Sequence, residues 1–259
     1  MYLEEKTARV ADTDIQYRET GSGQPIVMLH GGGGFRLDER AFAGLAQRFR
    51  VLVPSMPGFD NSTQGHAKDP RDVADVMADF IRQVAGARAI VIGESFGGGV
   101  SSWLAARHPD VVERLILAAP AGLRAGDGPR LLDLSPQQVS VLLYGRPPDE
   151  QPGPTEAERR TRNRHNSARL GSTRPPFDAD LFEQLKNISA PTLVIWGTAD
   201  GMISPDSAQN FISQIPGARL VRIEGAPHVL SAAVPEEFLA AVFEFLGVRQ
   251  TEATSRAAV

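Results

Sequence analysis

The sequence predicts an α/β protein, with a mostly parallel sheet covered by helices on both faces. Two observations point there. Six short apolar runs rich in β-branched residues recur without polar alternation, as strands buried on both sides do. Segments with helical apolar spacing lie between them, so strand and helix alternate and right-handed crossovers join parallel strands.

The first 20 residues read as an antiparallel hairpin feeding the sheet. Residues 26–29 (IVML) and 51–53 (VLV) are the first two buried strands. Over 72–85 the apolar positions Val73, Val76, Met77, Phe80, Ile81 and Val84 follow i, i+3, i+4, i+7 spacing, which predicts an amphipathic helix. A strand over 89–92 (AIVI) then runs into a helix over 96–107, which Pro109 closes. A strand over 115–119 follows, and there the rhythm breaks. Residues 123–186 carry GRPPDEQPGP, an arginine-bearing helical segment over 155–170 and STRPPF, with little strand character. They are too few and too proline-broken for an independent core, so they read as a cap or lid inserted into a single domain made of 1–122 and 187–259. The pattern resumes with a strand over 192–196, a helix over 205–214 and a strand over 220–223. A last helix over 235–246 is closed by Gly247. The tail over 250–259 is expected to fray.

Composition narrows the function. The chain has 259 residues, 42% of them hydrophobic, and its 27 basic and 31 acidic side chains leave a net charge of −4. That balance gives no electrostatic footprint for nucleic acid or an anionic membrane. No cysteine is present, which removes disulfides, thiolate metal sites and cysteine nucleophiles together. The polar start lacks a signal-peptide core, and no apolar run approaches the roughly 18 residues of a membrane span. A cytoplasmic protein acting on a small molecule is the expectation.

Four loops carry chemistry. Gly93-Glu94-Ser95-Phe96-Gly97 sits between a buried strand and a helix. There G-x-S-x-G means a sharp turn that exposes a serine nucleophile, although the motif alone is weak. His30-Gly31-Gly32-Gly33-Gly34 directly follows another strand, and its glycines let backbone amides approach a substrate as oxyanion donors. Gly32 is the donor expected from this loop, with Gly33 as the alternative, and the Phe96 amide is its partner. His30 reads as a residue that orients the loop. A serine also needs a base and an orienting acid. Of five histidines, His228 follows the strand at 220–223, while Asp200 lies just past the strand at 192–196. Both positions are strand carboxyl ends, where α/β sheets build their sites.

The order Ser95, Asp200, His228 resembles that of the α/β-hydrolase fold family. The resemblance runs from about residue 15 to residue 246. It is clearest in LHGGGG (29–34), PSMPGFDNS (54–62), GESFGGG (93–99), PTLVIWGTADGMISP (191–205) and GAPHVLSAAVPEEF (225–238). It implies an eight-stranded sheet with a helical cap after the sixth strand, Ser95 as nucleophile, His228 as base and Asp200 as acid. Ser55 and Asp60 stand where the family's D-x-P-G-x-G-x-S segment commonly has Asp and Gly, and Pro227 replaces a frequent Gly.

Serine at the elbow argues against the dehalogenase and epoxide-hydrolase branches, which attack with a carboxylate. A carboxylic ester hydrolase without metal or organic cofactor is the first expectation. A C–C hydrolase of meta-cleavage products, acting on a ketone, is the alternative; that group usually shows Asn-Ser-Met at the elbow and Trp after the histidine, whereas this chain has Glu94-Ser95-Phe96 and Val229. A ligand-binding protein without turnover on the same fold is a third reading. Phe35, Phe59, Phe96 and Val229 are candidate pocket residues. Arg159, Arg160, Arg162, Arg164 and Arg169 form either a solvated helix face or a site for a carboxylate-bearing substrate, with Arg164 the chosen substrate contact. Glu94 reads as a buried carboxylate supporting the elbow.

Overall fold

The computed structural model describes residues 4–35, 39–129, 133–147, 153–171 and 173–248; the tail expected to fray lies outside them. Eight strands form one sheet, β1 (Glu4–Val10), β2 (Thr13–Thr20), β3 (Pro25–Leu29), β4 (Arg50–Pro54), β5 (Ala89–Glu94), β6 (Val112–Ala118), β7 (Thr192–Gly197) and β8 (Arg219–Ile223). Their order is β1-β2-β4-β3-β5-β6-β7-β8. β1 pairs antiparallel with β2, and β2 antiparallel with β4, as the hairpin reading requires. From β4 to β8 the pairs are all parallel.

The central strands lack polar alternation because each of their faces meets a separate apolar layer. Val91, Leu115, Leu117, Val194 and Trp196 point into one cluster with α2 (Pro70–Phe80) and α3 (Phe96–Arg107). Their neighbours Ile90, Ile92, Ile116, Leu193 and Ile195 point into the other, with α1 (Glu39–Ala46) and α9 (Pro235–Leu246). Successive residues therefore alternate between two cores rather than between core and water.

Local chemistry sets the helix ends. Asp69 caps α2 by accepting from the backbone N–H of Arg71 and Asp72, with Pro70 at the first turn. The predicted helix over 72–85 continues past Phe80 as one π turn, Ile81–Ala85, and ends at Gly86 with φ +73°. Two expectations need correction. The stretch read as one helix over 205–214 is a 3₁₀ turn, Pro205–Ser207, followed by the short α7 (Ala208–Ile212), because the Ser204 hydroxyl and Pro205 tighten the first turn. α1 was absent from the expectations. Its eight residues bury Ala41, Phe42 and Leu45, too short a repeat to announce a helix.

Between β6 and β7 lie α4 (Pro136–Tyr144), α5 (Pro154–Gly171) and α6 (Ala179–Gln184). The chain leaves the sheet layer and returns at one point, where Leu123 bridges Phe177 and the Asp178 N–H donates to Gly122 O at 2.8 Å. α6 then packs back beside α3, with Leu181 and Leu185 in the core. α8 (Leu230–Ala233) separates the β8 loop from α9.

Candidate active site

The carboxyl ends of β3 and β5 and the loop after β8 meet at one cavity of about 470 Å³, and Ser95 and His228 both line it. Ser95 stands between β5 and α3 with φ +56° and ψ −118°, a conformation that non-glycine residues rarely adopt. The turn is possible only because its flank is bare: a Cβ on Gly97 would collide with the carbonyl oxygen of Leu29 in β3.

His228, in the loop after β8, is 1% exposed. Its Nε2 lies 2.8 Å from Ser95 Oγ and its Nδ1 lies 2.7 Å from Asp200 Oδ2. A carboxylate only accepts, so Nδ1 carries the proton and donates it to Asp200, while Nε2 accepts from the serine hydroxyl. Asp200 is fixed in turn. Its Oδ1 accepts from the N–H of Met202 at 2.8 Å and of Ile203 at 2.9 Å, and its Oδ2 from Trp196 Nε1 at 3.1 Å. The structure thus joins Ser95, Asp200 and His228 in one hydrogen-bonded chain.

The glycine loop lies against this serine: a Cβ on Gly31 would stand 3.5 Å from Ser95 Cβ. Gly34 N–H donates to Gly31 O at 3.1 Å, which makes Gly32 and Gly33 the central residues of a turn whose own hydrogen bond leaves their amides unused. Phe96 is the first residue of α3, so its N–H is one of the helix-start amides with no intrahelical acceptor. His30 orients the loop. Its Nε2 accepts from Met56 N–H at 3.0 Å and its Nδ1 donates to Gly31 O at 2.8 Å. Burial pushes this imidazole below its ordinary pKa, which keeps it neutral.

Of the expected pocket residues, Phe35, Val229 and Arg164 line the cavity beside Gly32 and Gly33. Phe59 does not. It is fully buried, its ring between those of His30 and Phe96, where it packs behind the loops. Glu94 lines the cavity and ties the elbow to α8, accepting from Ser231 N–H at 3.1 Å and Ser231 Oγ at 2.8 Å. Burial raises the pKa of its carboxyl, and the Ser231 bonds offset that only in part.

Asn163, which the sequence does not single out, and Asp60 fasten α5 to the glycine loop. Asn163 is fully buried; its Nδ2 donates to Gly33 O at 3.1 Å and to Asp60 Oδ1 at 2.8 Å, and its Oδ1 accepts from Asp60 N–H at 2.9 Å. Asp60, at φ +50°, accepts from Phe35 N–H and Ser55 Oγ and pairs with Arg159. Burial works against its ionisation, but the donors from Phe35, Asn163 and Ser55 outweigh it and hold the carboxyl below the usual range. The departures at Ser55 and Asp60 were thus visible as a swap, whereas nothing in an arginine-rich helix marks Asn163 as buried. Among the described residues no cluster of side chains fits a metal ion.

Fold and cavity together define a hydrolase. The family model described as the alpha/beta hydrolase family matches residues 26–241. The chain belongs to that family. It is similar to the 2-hydroxy-6-oxo-6-phenylhexa-2,4-dienoate hydrolase of Comamonas testosteroni, at 26% identity over 94% of this chain and 96% of the relative. A pimeloyl-[acyl-carrier protein] methyl ester esterase of Vibrio vulnificus is 23% identical over 91% of this chain and 99% of its own. Among solved structures, a bacterial membrane phospholipase A described as a virulence factor superposes with a TM-score of 0.74 at 26% identity, covering 96% of this chain and 87% of the other.

Proposed function

We propose that this hydrolase cleaves carboxylic esters of small to medium substrates through an acyl-enzyme on Ser95. The observation that carries the reading is the hydrogen-bonded chain from Ser95 Oγ through His228 to Asp200, at 2.8 and 2.7 Å. His228 Nε2 takes the hydroxyl proton as Ser95 Oγ bonds to the ester carbonyl carbon. Asp200 holds the imidazole tautomer and stabilises the imidazolium. The amides of Gly32, or Gly33 in its place, and Phe96 receive the oxyanion, a contribution of about 3 kcal/mol per donor. The carbon–oxygen bond to the alcohol then breaks and His228 returns the proton to the leaving oxygen. Water, deprotonated by His228, repeats the sequence on the acyl-serine and releases the acid. No step calls on a metal or an organic cofactor. Helices α4 and α5 act as the cap over this cavity; the Val229 N–H donates to Leu143 O of α4 at 2.8 Å, which ties the histidine loop to that cap.

Purified protein is expected to release p-nitrophenol from acetate or butyrate esters, and Ser95→Ala to abolish the release. Equal rates for the two proteins would refute the reading. The similarity to a dienoate hydrolase, with the run of four glycines, favours C–C hydrolysis as the second reading. Loss of dienolate absorbance from a vinylogous 1,5-diketone, faster than any ester is turned over, would put that reading first.

A further inference from the structure

The structure sorts the five arginines of α5. Arg159 is taken up by Glu156 and Asp60, Arg162 donates to Asp60 O, and Arg169 bonds Asn166. Arg160 and Arg164 differ from these. With Ala157 and Thr161 they line the cavity that holds Ser95 and His228, at the i, i+3, i+4, i+7 positions of one helix face. Arg160 pairs with Glu156. Among the described residues Arg164 has no carboxylate partner. Its hydrogen bond is a long one, 3.3 Å, to Thr161 Oγ1 on its own helix. Burial, and then the charge of Arg160, both act against the Arg164 cation.

Among the described residues no acid lining the cavity answers Arg164. Glu94 is the acid among the described lining residues, its oxygens are committed to Ser231, and burial favours its neutral form. Much of the remaining lining is apolar, with Phe35, Phe42, Val53, Ile92 and Phe238. The cavity therefore pairs an apolar flank with a guanidinium that is partly stripped of water and unanswered by the protein. A cation in that state is costly unless an anion completes it, and a planar guanidinium matches a carboxylate through two parallel N–H donors.

We propose that the substrate is an ester bearing a carboxylate on the arm remote from the scissile bond, and that Arg164, flanked by Arg160, receives that carboxylate. The proposal rests on the acyl-transfer reading for the bond cleaved, while the binding step stands by itself. A carboxylate fits better than a phosphate because Glu156 already engages Arg160, which leaves Arg164 as the cavity-lining arginine of α5 without a carboxylate partner among the described residues. The overall change is hemiester plus water to dicarboxylic acid plus alcohol.

Two measurements test it. The first compares kcat/KM for monomethyl esters of six- to nine-carbon α,ω-diacids with methyl esters of monoacids of equal length. Wild type is expected to favour the anionic ester by about tenfold or more, mainly through KM, because a partly desolvated cation without a carboxylate partner favours the substrate that supplies one. Arg164→Gln should bring the ratio near one, and Arg164→Lys should restore part of it. A wild-type ratio of one or below, a ratio that Arg164→Gln leaves unmoved, or faster turnover of phosphate-ended esters would each overturn the proposal. The second is calorimetric titration of the full chain carrying Ser95→Ala with monomethyl suberate. Binding is expected, and its loss when Arg164→Gln is added. Absence of binding overturns the anion site even if neutral esters are hydrolysed through Ser95. Binding without turnover of any ester supports the anion site and removes the acyl-transfer reading instead.

Discussion

At Asp200 both carboxylate oxygens are committed: two backbone amides hold one, and Trp196 and His228 share the other. That arrangement makes Asp200 a fixed reference for the imidazole. Asp200→Asn is expected to lower kcat by about 10⁴-fold, because an amide in that place favours the wrong tautomer. Asp206→Asn, in the neighbouring 3₁₀ turn, should change kcat little; equal losses would show that the acid has been misassigned. Glu94 gives a different test. Its folded pKa is raised, so the unfolded chain ionises first as pH climbs through the ordinary carboxylate range. The protonated carboxyl's contribution is complete below that range and is lost as pH rises through the folded value. In urea unfolding from pH 4 to pH 8, wild type should lose stability relative to Glu94→Gln. A constant difference would mean that the carboxyl is not held neutral.

At the scale of elements, α5 supports the glycine loop as well as lining the cavity. Asn163 bonds both Gly33 O and Asp60, and Gly34, at φ +82°, presents its bare Cα to the Asn163 amide. A Cβ on Gly34 would collide with that amide and strain the backbone as well. Gly34→Ala should therefore cost about 1–3 kcal/mol in urea unfolding and lower kcat by shifting the loop amides; wild-type stability and kcat would sink the account of how α5 docks. The strands, the elbow, α3 and α9 were legible in the sequence because each rests on local chemistry: continuous β-branched runs, glycines around a serine, and Pro109 or Gly247 at a helix end. α1 and the docking of α5 were not. The first is two turns long, and the second depends on contacts about 100 residues apart, which periodicity does not encode.

For the whole molecule, one sheet with two apolar layers carries the serine, acid and histidine on separate loops at a single edge. The order of those residues was readable because the topology places successive strand ends side by side, β5 next to β6, then β7, then β8. The cavity's charge was legible only in part: Arg164 stood out as a carboxylate contact, but the sequence held no physical reason to separate it from its neighbours. Five arginines in a row look alike until the fold assigns four of them partners, at Glu156, Asp60 and Asn166, and turns Arg164 to the cavity. No helix among the described residues is long and apolar enough to cross a membrane. The most direct measurement of the central claim is peptide mass spectrometry after reaction with a p-nitrophenyl phosphonate. The account predicts one covalent adduct, on Ser95, that is absent when Ser95→Ala is treated alike. An adduct on another residue, or equal labelling of both proteins, would contradict it.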